Sequence, residues 1–360
     1  MSTASGRLRV ALVGGPMYDH VLPALGDVEV VVHADHPTLN RQVAGMLAAG
    51  ERIDLLSTHA KYAPSQRRWL TPLAELVDTS ALAADAVRMC TFDGDLLSVP
   101  RCIDVRVLWS SSEEPPATWD DLLGQVEGGL RFGFPGRESG LFGTFFELVV
   151  SRGGRLFDAE AKPEIDSDQA RAAVATLCRL AAGAPSDLPD WHYDDVDRAL
   201  LEGRVDAAAA WPGGWGAIRQ ARRAGRDLVP HRYPGGVSYS GCHSWAIPST
   251  CGDLEGARAL LERLASFDVA ALDASGGNVP AHVAALAAVE PDDDVDARRL
   301  AITQETIASG MLTYPALERF PTVEDAGWQA INEALRGRRR PEDVPAVVQA
   351  AAEEALGTAG

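Results

Sequence analysis

LRVALV, residues 8–13, is a short, mostly apolar run that predicts the first β-strand of the chain. Similar runs follow at residues 28–32 and 53–56. Between these two, residues 38–50 carry apolar side chains at helical spacing and end in glycine. Strands that alternate with helices in this way are typical of a parallel sheet built from βαβ units. The sequence therefore predicts an α/β fold.

Topology alone marks three loops as candidate binding segments, because ligands of open sheets bind beyond the carboxyl ends of the strands. These loops are residues 14–19, 33–37 and 57–62, each of which follows a predicted strand. A second α/β segment is predicted beyond a strand-like run at residues 96–109. It includes a helix at residues 141–152 that has one apolar face.

The composition is typical of a soluble globular chain. Its 360 residues include 46% hydrophobic and 23% charged side chains, and the length suffices for two lobes. Acidic residues outnumber basic ones by 51 to 33, which gives a formal net charge of −18. A field of that sign repels nucleic acids and anionic membranes, so neither is a predicted partner. Lys61 and Lys162 are the only lysines, so few positions can supply the lysine that P-loop and Schiff-base chemistries require.

The cysteines and the start of the chain bear on its compartment. Five cysteines without a CxxC pair argue against a disulfide framework and against a cysteine-rich zinc site. Residues 1–10 contain neither the apolar segment nor the cleavage site of a secretory signal, and no lipobox cysteine is present. The sequence as given therefore predicts a cytoplasmic protein. No apolar run is long enough to span a bilayer.

Residue chemistry by itself offers few candidate sites. Cys102 lies beside an arginine and is a candidate nucleophile, although free cysteines are more often buried small hydrophobes. Cys242 and His243 are adjacent but lack further ligands at metal spacing, so neither a metal nor a cofactor is predicted. Trp211 and Trp215 flank a Pro-Gly-Gly turn, where an indole can present its face to a sugar ring or a cation.

An ordered series of short motifs runs along nearly the whole chain. The motifs are AAGERIDL at residues 48–55, FDGDLLSVP at 92–100, PPATWDDL at 115–122, LEGRVDAAAAWP at 201–212 and WQAINEAL at 328–335. In this order and spacing they resemble the type-1 extracellular solute-binding proteins of ABC importers, of the maltose- and sugar-binding kind. Each motif alone is weak, and their order and spacing carry the resemblance.

The resemblance implies the type II periplasmic-binding-protein fold. This α/β fold has two lobes, each a mixed sheet flanked by helices, joined by hinge strands with a ligand cleft that closes on the solute. The implied boundaries are residues 1–105 plus about 248–288 for lobe 1, 109–245 plus about 296–360 for lobe 2, and hinges near 104–109, 244–248 and 289–296.

The resemblance also implies which residues touch the ligand. The first binding loop begins at Pro16, and Asp104 matches an acid that often binds a sugar hydroxyl in that family. The implied ligand-binding residues are Met17, Tyr18, Asp19, His59, Asp104, Arg137, Glu138, Trp211, Trp215, Tyr239, Ser240, His243 and Arg319. No catalytic residue is implied.

The expected function is capture of a small polar ligand, a carbohydrate, for ABC-type import. The resemblance implies a monomer that partners an ABC permease, uses no cofactor and works outside the cytoplasm. That location conflicts with the start of the sequence as given. Arg101 and Arg137 lie near the implied cleft, so an acidic ligand is an alternative to a neutral sugar.

Two alternatives stay open at this point. One is an enzyme on the same scaffold, similar to thiaminase I, with Cys102 as nucleophile and Asp104 or Glu138 assisting proton transfer. The other is a cytoplasmic ligand sensor whose closed form docks a partner protein. The missing export signal favours both, and a cysteine in a segment implied to face the cleft favours the first.

Overall fold

The structure is a computed structural model that describes residues 6–15, 17–112 and 114–357. Pro16, the predicted start of the first binding loop, lies outside the described residues. Among the described residues, the strands are β1 (Leu8–Val13), β2 (Val28–Ala34), β3 (Leu55–His59), β4 (Thr91–Phe92), β5 (Asp95–Leu96), β6 (Val99–Asp104), β7 (Val107–Ser110), β8 (Phe132–Gly133), β9 (Ala207–Ala210), β10 (Val229–His231), β11 (Ser238–Tyr239), β12 (Gly241–Ala246), β13 (Val279–Pro280) and β14 (Met311–Leu312).

α-Helices account for much of the remaining chain, and short 3₁₀ segments occur between some of the elements. The α-helices of the described residues are α1 (His36–Ala48), α2 (Ala63–Gln66), α3 (Ala84–Met89), α4 (Trp119–Glu127), α5 (Glu138–Ser151), α6 (Asp168–Ala182), α7 (Tyr193–Leu201), α8 (Trp215–Arg223), α9 (Leu254–Leu264), α10 (Phe267–Ser275), α11 (Val283–Ala287), α12 (Asp294–Ser309), α13 (Phe320–Leu335) and α14 (Val344–Leu356). None of these helices combines the length and the apolar character needed to cross a membrane.

The chain divides into two compact units. Unit 1 is Met1–Asp104, Gly241–Glu290 and Ala316–Glu318, and unit 2 is Val105–Ser240, Pro291–Pro315 and Arg319–Gly360. The resemblance implied that residues up to 245 belong to the second lobe and that a hinge lies near residues 244–248. The structure puts the whole of β12 in unit 1, because this strand is hydrogen-bonded on both sides within the unit 1 sheet. The three residues 316–318 also join unit 1, which the sequence did not predict.

Unit 1 is built on a six-stranded mixed sheet with the order β13-β6-β12-β3-β1-β2. β1 runs parallel to β2 and β3, as the alternating pattern of the N-terminal third predicts. The helix between the second and third strands is α1, whose first turn is capped by Asp35 accepting from the Thr38 amide at 2.8 Å. Its buried side chains pack against the apolar face of β1 in a shared core. β12 and β13 run antiparallel to their neighbours.

Unit 2 contains a four-stranded sheet with the order β10-β7-β9-β8. β7 is antiparallel to β9 and β10, and β8 is parallel to β9. The helix predicted at residues 141–152 is α5, which is buried along most of its length and contacts α6 and α13. A capping box at the start of α4 joins Thr118 and Asp121. Mixed sheets flanked by helices confirm the predicted fold class.

Candidate functional site

Three polar side chains of unit 1 converge where β3, β6 and β12 lie side by side. β12 pairs with β3 so that His243 is opposite His59, and with β6 so that Gly241 is opposite Asp104. As a result, His59 Nε2 lies 3.3 Å and His243 Nε2 lies 3.0 Å from the same oxygen, Asp104 Oδ2. All three side chains are buried: 7% of the His59 and His243 side chains and 6% of the Asp104 side chain are exposed. We call His59, Asp104 and His243 the His–Asp cluster.

Further polar and aromatic side chains surround the His–Asp cluster. Tyr18 Oη lies 3.1 Å from His243 Nε2, and His36 Nε2 lies 3.0 Å from His243 Nδ1. The ring of Tyr62 is 6.1 Å from that of His59. Four predicted site residues, Tyr18, His59, Asp104 and His243, are therefore brought together. His36 was not predicted, although it lies in the loop at residues 33–37 that topology had marked.

Hydrogen bonds determine where the proton of His59 resides. The Lys61 amide donates to His59 Nδ1 at 3.2 Å, so Nδ1 is an acceptor and Nε2 carries the proton that points to Asp104. Burial lowers the pKa of His59 to about 4, and the attraction of Asp104 offsets only part of this effect. Burial raises the pKa of Asp104, but His243 and His59 outweigh it and lower that pKa to about 2. At neutral pH His59 is therefore neutral and Asp104 is ionised.

Gly241 makes room for His59. A Cβ at position 241 would lie 2.1 Å from Cε1 and 2.5 Å from Nε2 of the His59 ring, closer than any real contact. The glycine therefore allows this imidazole to lie over the neighbouring strand and to reach Asp104. Local sequence does not show this requirement, since the contact joins two strands that are far apart along the chain.

Arg101 is held in a buried ion pair. Its Nε and Nη2 donate to the two oxygens of Asp273 at 2.9 and 2.8 Å, and Nη2 also reaches the Tyr18 carbonyl at 3.3 Å. His20 and Asn278 complete the surroundings of the Asp273 carboxylate. Arg101 is thus committed to a partner inside unit 1, which argues against its selecting an acidic ligand.

Met17 and Asp19, also predicted to touch ligand, are half-buried beside Tyr18. Asp19 Oδ1 accepts from the Gly15 amide at 3.1 Å and contacts His33 Nε2 at 2.8 Å. The Met17 carbonyl accepts from Asn278 Nδ2 at 3.0 Å. These bonds fix the backbone that carries Tyr18.

Cys102 is fully buried in β6. Burial raises the pKa of its thiol well above the usual range, and the Asp273 and Asp104 charges act in the same direction. A nucleophilic cysteine needs the reverse, an exposed thiol with a lowered pKa. The structure therefore offers no support for Cys102 as a nucleophile.

Trp211 and Tyr239 lie together in unit 2. Their rings meet edge to face with centroids 6.0 Å apart, and Trp211 is half-buried. The guanidinium carbon of Arg106 lies 5.2 Å from the Trp211 ring centroid, and Arg106 forms a buried ion pair with Glu147. Glu147 also accepts from the Tyr239 amide at 2.6 Å. Sequence reasoning missed Arg106 and Glu147, because nothing in their local pattern shows that they meet.

Trp215 has the surroundings of a core side chain. It is only 4% exposed, stacks on Trp109 at 5.6 Å with the rings nearly parallel, and has Arg299 4.8 Å from its ring centroid. The sequence treated Trp211 and Trp215 alike, but their burial differs. We therefore assign Trp215 to the core of unit 2 and keep Trp211 as a predicted ligand contact.

Arg137 and Glu138 stand at the start of α5. Arg137 Nη1 lies 3.1 Å from Glu138 Oε1, and Glu138 Oε2 lies 3.0 Å from His192 Nε2. Arg137 Nε also donates to the Asp190 carbonyl at 2.9 Å. Both predicted residues are half-buried and thus remain in contact with solvent.

Ser240 and Arg319 have contrasting surroundings. Ser240 is buried, and both its amide and its hydroxyl donate within unit 2, to the carbonyls of Leu312 at 2.7 Å and Ser238 at 2.8 Å. Arg319 is exposed at the residue before α13. The Ser240 hydroxyl is thus already used, whereas the Arg319 side chain is open to solvent.

No family model matches the sequence. Among solved structures, maltose-bound MalE3 of T. maritima is similar over 97% of this chain and 99% of its own, with a TM-score of 0.87 and 21% identity. The chain has the fold of ABC-transporter solute-binding proteins. A solute-binding protein of Thermotoga lettingae bound to α-D-tagatose gives a TM-score of 0.84 at 21% identity, covering 98% of this chain and 100% of that one.

The GacH receptor of Streptomyces glaucescens, solved unliganded and with acarbose, is a third structure with this solute-binding-protein fold. It covers 98% of this chain and 99% of its own, with a TM-score of 0.83 and 15% identity. Likeness over almost the full length of all three proteins confirms the two-lobed periplasmic-binding-protein fold. Because identity is low, the likeness fixes the fold and leaves the contacting side chains to be tested.

Replacing Gly241 by alanine tests the packing of the His–Asp cluster. Gly241→Ala forces the His59 ring away from Asp104, and overpacking of this kind costs about 1–3 kcal/mol of unfolding free energy. Denaturant unfolding measures the loss. Gly45→Ala in α1 is the matched control, since its Cβ meets nothing within 4 Å and the helix gains propensity. Equal stability of the two variants would contradict this account of Gly241.

Proposed function

We propose that this chain is a solute-binding protein that captures a carbohydrate for ABC-type import. The observation that carries the proposal is likeness over nearly the whole chain to three proteins solved with maltose, tagatose or acarbose. No observation of the site favours the thiaminase-like alternative, because Cys102 is buried with a raised pKa. Side chains of each unit further support a sugar as the ligand.

In unit 1, Asp104 offers an acceptor that nothing in the described chain uses. Its Oδ2 is shared by His59 and His243, whereas its buried Oδ1 has no hydrogen-bond partner among the described residues. Leaving a buried acceptor unsatisfied costs about 1–3 kcal/mol. A ligand hydroxyl that donates to Oδ1 would remove this cost. Sugars carry many such hydroxyl groups, which suits this carboxylate.

In unit 2, Trp211 offers a partly exposed aromatic ring. Its position is set by Tyr239 and by Arg106, whose charge is neutralised by Glu147. A ring fixed in this way loses little conformational freedom when a ligand packs on it. The apolar face of a pyranose is suited to such an indole.

A thermal-shift screen over neutral sugars, amino sugars and sugar acids tests the proposal. A ligand that binds only the folded chain stabilises it by about 2.7 kcal/mol at a hundred times its Kd, which raises the midpoint by several degrees. We expect at least one neutral sugar to do so, and Asp104→Asn to abolish the shift because it exchanges the carboxylate for an amide. If no compound of the panel raises the unfolding midpoint, or if the midpoint of Asp104→Asn rises equally, the result counts against the proposal.

Trp211 and Trp215 should respond differently to truncation. Trp211→Ala should weaken binding of the sugar identified in the screen by roughly tenfold, because it removes a stacking face. Trp215→Ala should lower the unfolding free energy by about 3–5 kcal/mol, because it removes a buried ring from the Trp109 stack. Calorimetric titration and denaturant unfolding give the two readouts. The reverse pattern would place Trp215, not Trp211, at the ligand.

Import requires a membrane partner, so the proposal includes an ABC permease and a location outside the cytoplasm. Deleting the gene should abolish uptake of the sugar identified in the screen, since the permease then lacks its receptor. Cell fractionation should place the protein outside the cytoplasmic membrane. Unchanged uptake together with a cytoplasmic protein would instead favour the ligand-sensor alternative.

A further inference from the structure

The His–Asp cluster carries the donor set of a transition-metal site. Two imidazoles and one carboxylate are ligands that divalent zinc and its first-row neighbours accept in proteins. One donor atom from each of His59, Asp104 and His243 lies within 4.8 Å of the other two. The sequence predicted no metal, because the three residues are on three separate strands and show no ligand spacing along the chain.

The separations of the donor atoms suit an ion. Donors held about 2.0–2.2 Å from a tetrahedral metal lie about 3.4 Å from one another. His59 Nε2 and His243 Nε2 are 3.3 and 3.0 Å from Asp104 Oδ2, close to that value. One ring nitrogen of His59 and one of His243 lie within 4.8 Å of each other, and small side-chain rotations can shorten that distance. Three protein ligands would leave one position of a tetrahedral ion for water or a ligand.

The Asp104 carboxylate also has a further oxygen to offer an ion. The buried Oδ1 of Asp104, which lacks a partner in the described chain, adds a second oxygen that no protein group occupies.

The surroundings of the two imidazoles differ. His243 Nδ1 has His36 Nε2 at 3.0 Å, a neighbour that can accept the ring proton when His243 ligates through Nε2. His59 Nδ1 instead receives the Lys61 amide proton at 3.2 Å. Ligation through His59 Nε2 moves the ring proton to Nδ1, so the Lys61 amide must turn away. A bound ion therefore breaks the hydrogen bond between the Lys61 amide and His59 Nδ1.

We infer that His59, Asp104 and His243 bind a first-row divalent transition-metal ion, with His36 as the outer partner that orients His243. The inference stands whether or not the chain captures a sugar. It adds a metal site to residues otherwise expected to touch only the ligand.

Titration of metal-free, tag-free protein with Co²⁺ and Zn²⁺ tests the inference. We expect one ion per chain, with visible cobalt bands of a nitrogen and oxygen ligand set and no thiolate charge-transfer band. The absence of a thiolate band excludes the buried cysteines as ligands. No saturable one-to-one binding, or a thiolate band, would overturn the assignment.

Variants locate the ion. His243→Gln should weaken zinc binding by roughly 100-fold, and His36→Gln by about 10- to 100-fold because it removes the outer partner. His33→Gln is the matched control, since His33 is exposed and contacts Asp19 outside the cluster. Zinc affinity retained in His243→Gln, or lost equally in His33→Gln, would refute the site.

A measurement on the unaltered protein keeps the test decisive if a variant fails to fold. Zinc should shift the NMR signals of the His59 and His243 rings and of the Lys61 amide. Zinc that binds without moving them would refute the site. Sugar-induced midpoints are recorded separately with and without zinc. Failure of zinc binding with an intact sugar shift counts against the metal site alone, and the opposite result counts against sugar capture alone.

Discussion

The insertion of β12 between β3 and β6 is the constraint on which the rest of the unit 1 site depends. Both edges of β12 are hydrogen-bonded, so its register is fixed, and a slip of one residue would turn His243 to the opposite face of the sheet. The same register places Gly241 against the His59 ring, where a side chain would not fit. β12 thus supplies the His243 side chain and, through Gly241, the space that the His59 ring occupies.

Two buried carboxylates of unit 1 differ in how completely they are paired. Asp273 is paired with Arg101 through two hydrogen bonds and is also contacted by His20 and Asn278. Asp104 has only histidine partners, and its Oδ1 has none in the described chain. A buried charge is costly unless it is fully paired. The incomplete pairing of Asp104 therefore costs stability, which supports the proposal that this carboxylate binds a ligand.

Local patterns allowed the N-terminal part of the fold to be predicted, and non-local pairing limited the rest. The βαβ order of β2, α1 and β3 follows from periodicity within a few residues of each element. The position of β12 depends on pairing with strands distant in sequence, so local patterns did not place this strand in unit 1. The resemblance named Tyr18, His59, Asp104 and His243, but it could not show that they touch. Burial likewise separates Trp215 from Trp211, which local sequence treats alike.

The tautomer of His59 distinguishes the two ligands proposed for the His–Asp cluster. With the proton on Nε2, His59 donates to Asp104 Oδ2 and accepts from the Lys61 amide, which leaves Oδ1 to accept from a hydroxyl. With the proton on Nδ1, Nε2 is free to ligate an ion, but the ring then faces the Lys61 amide donor to donor. A sugar hydroxyl leaves this hydrogen bond intact and a metal breaks it. The Lys61 amide therefore reports which of the two occupies the cluster.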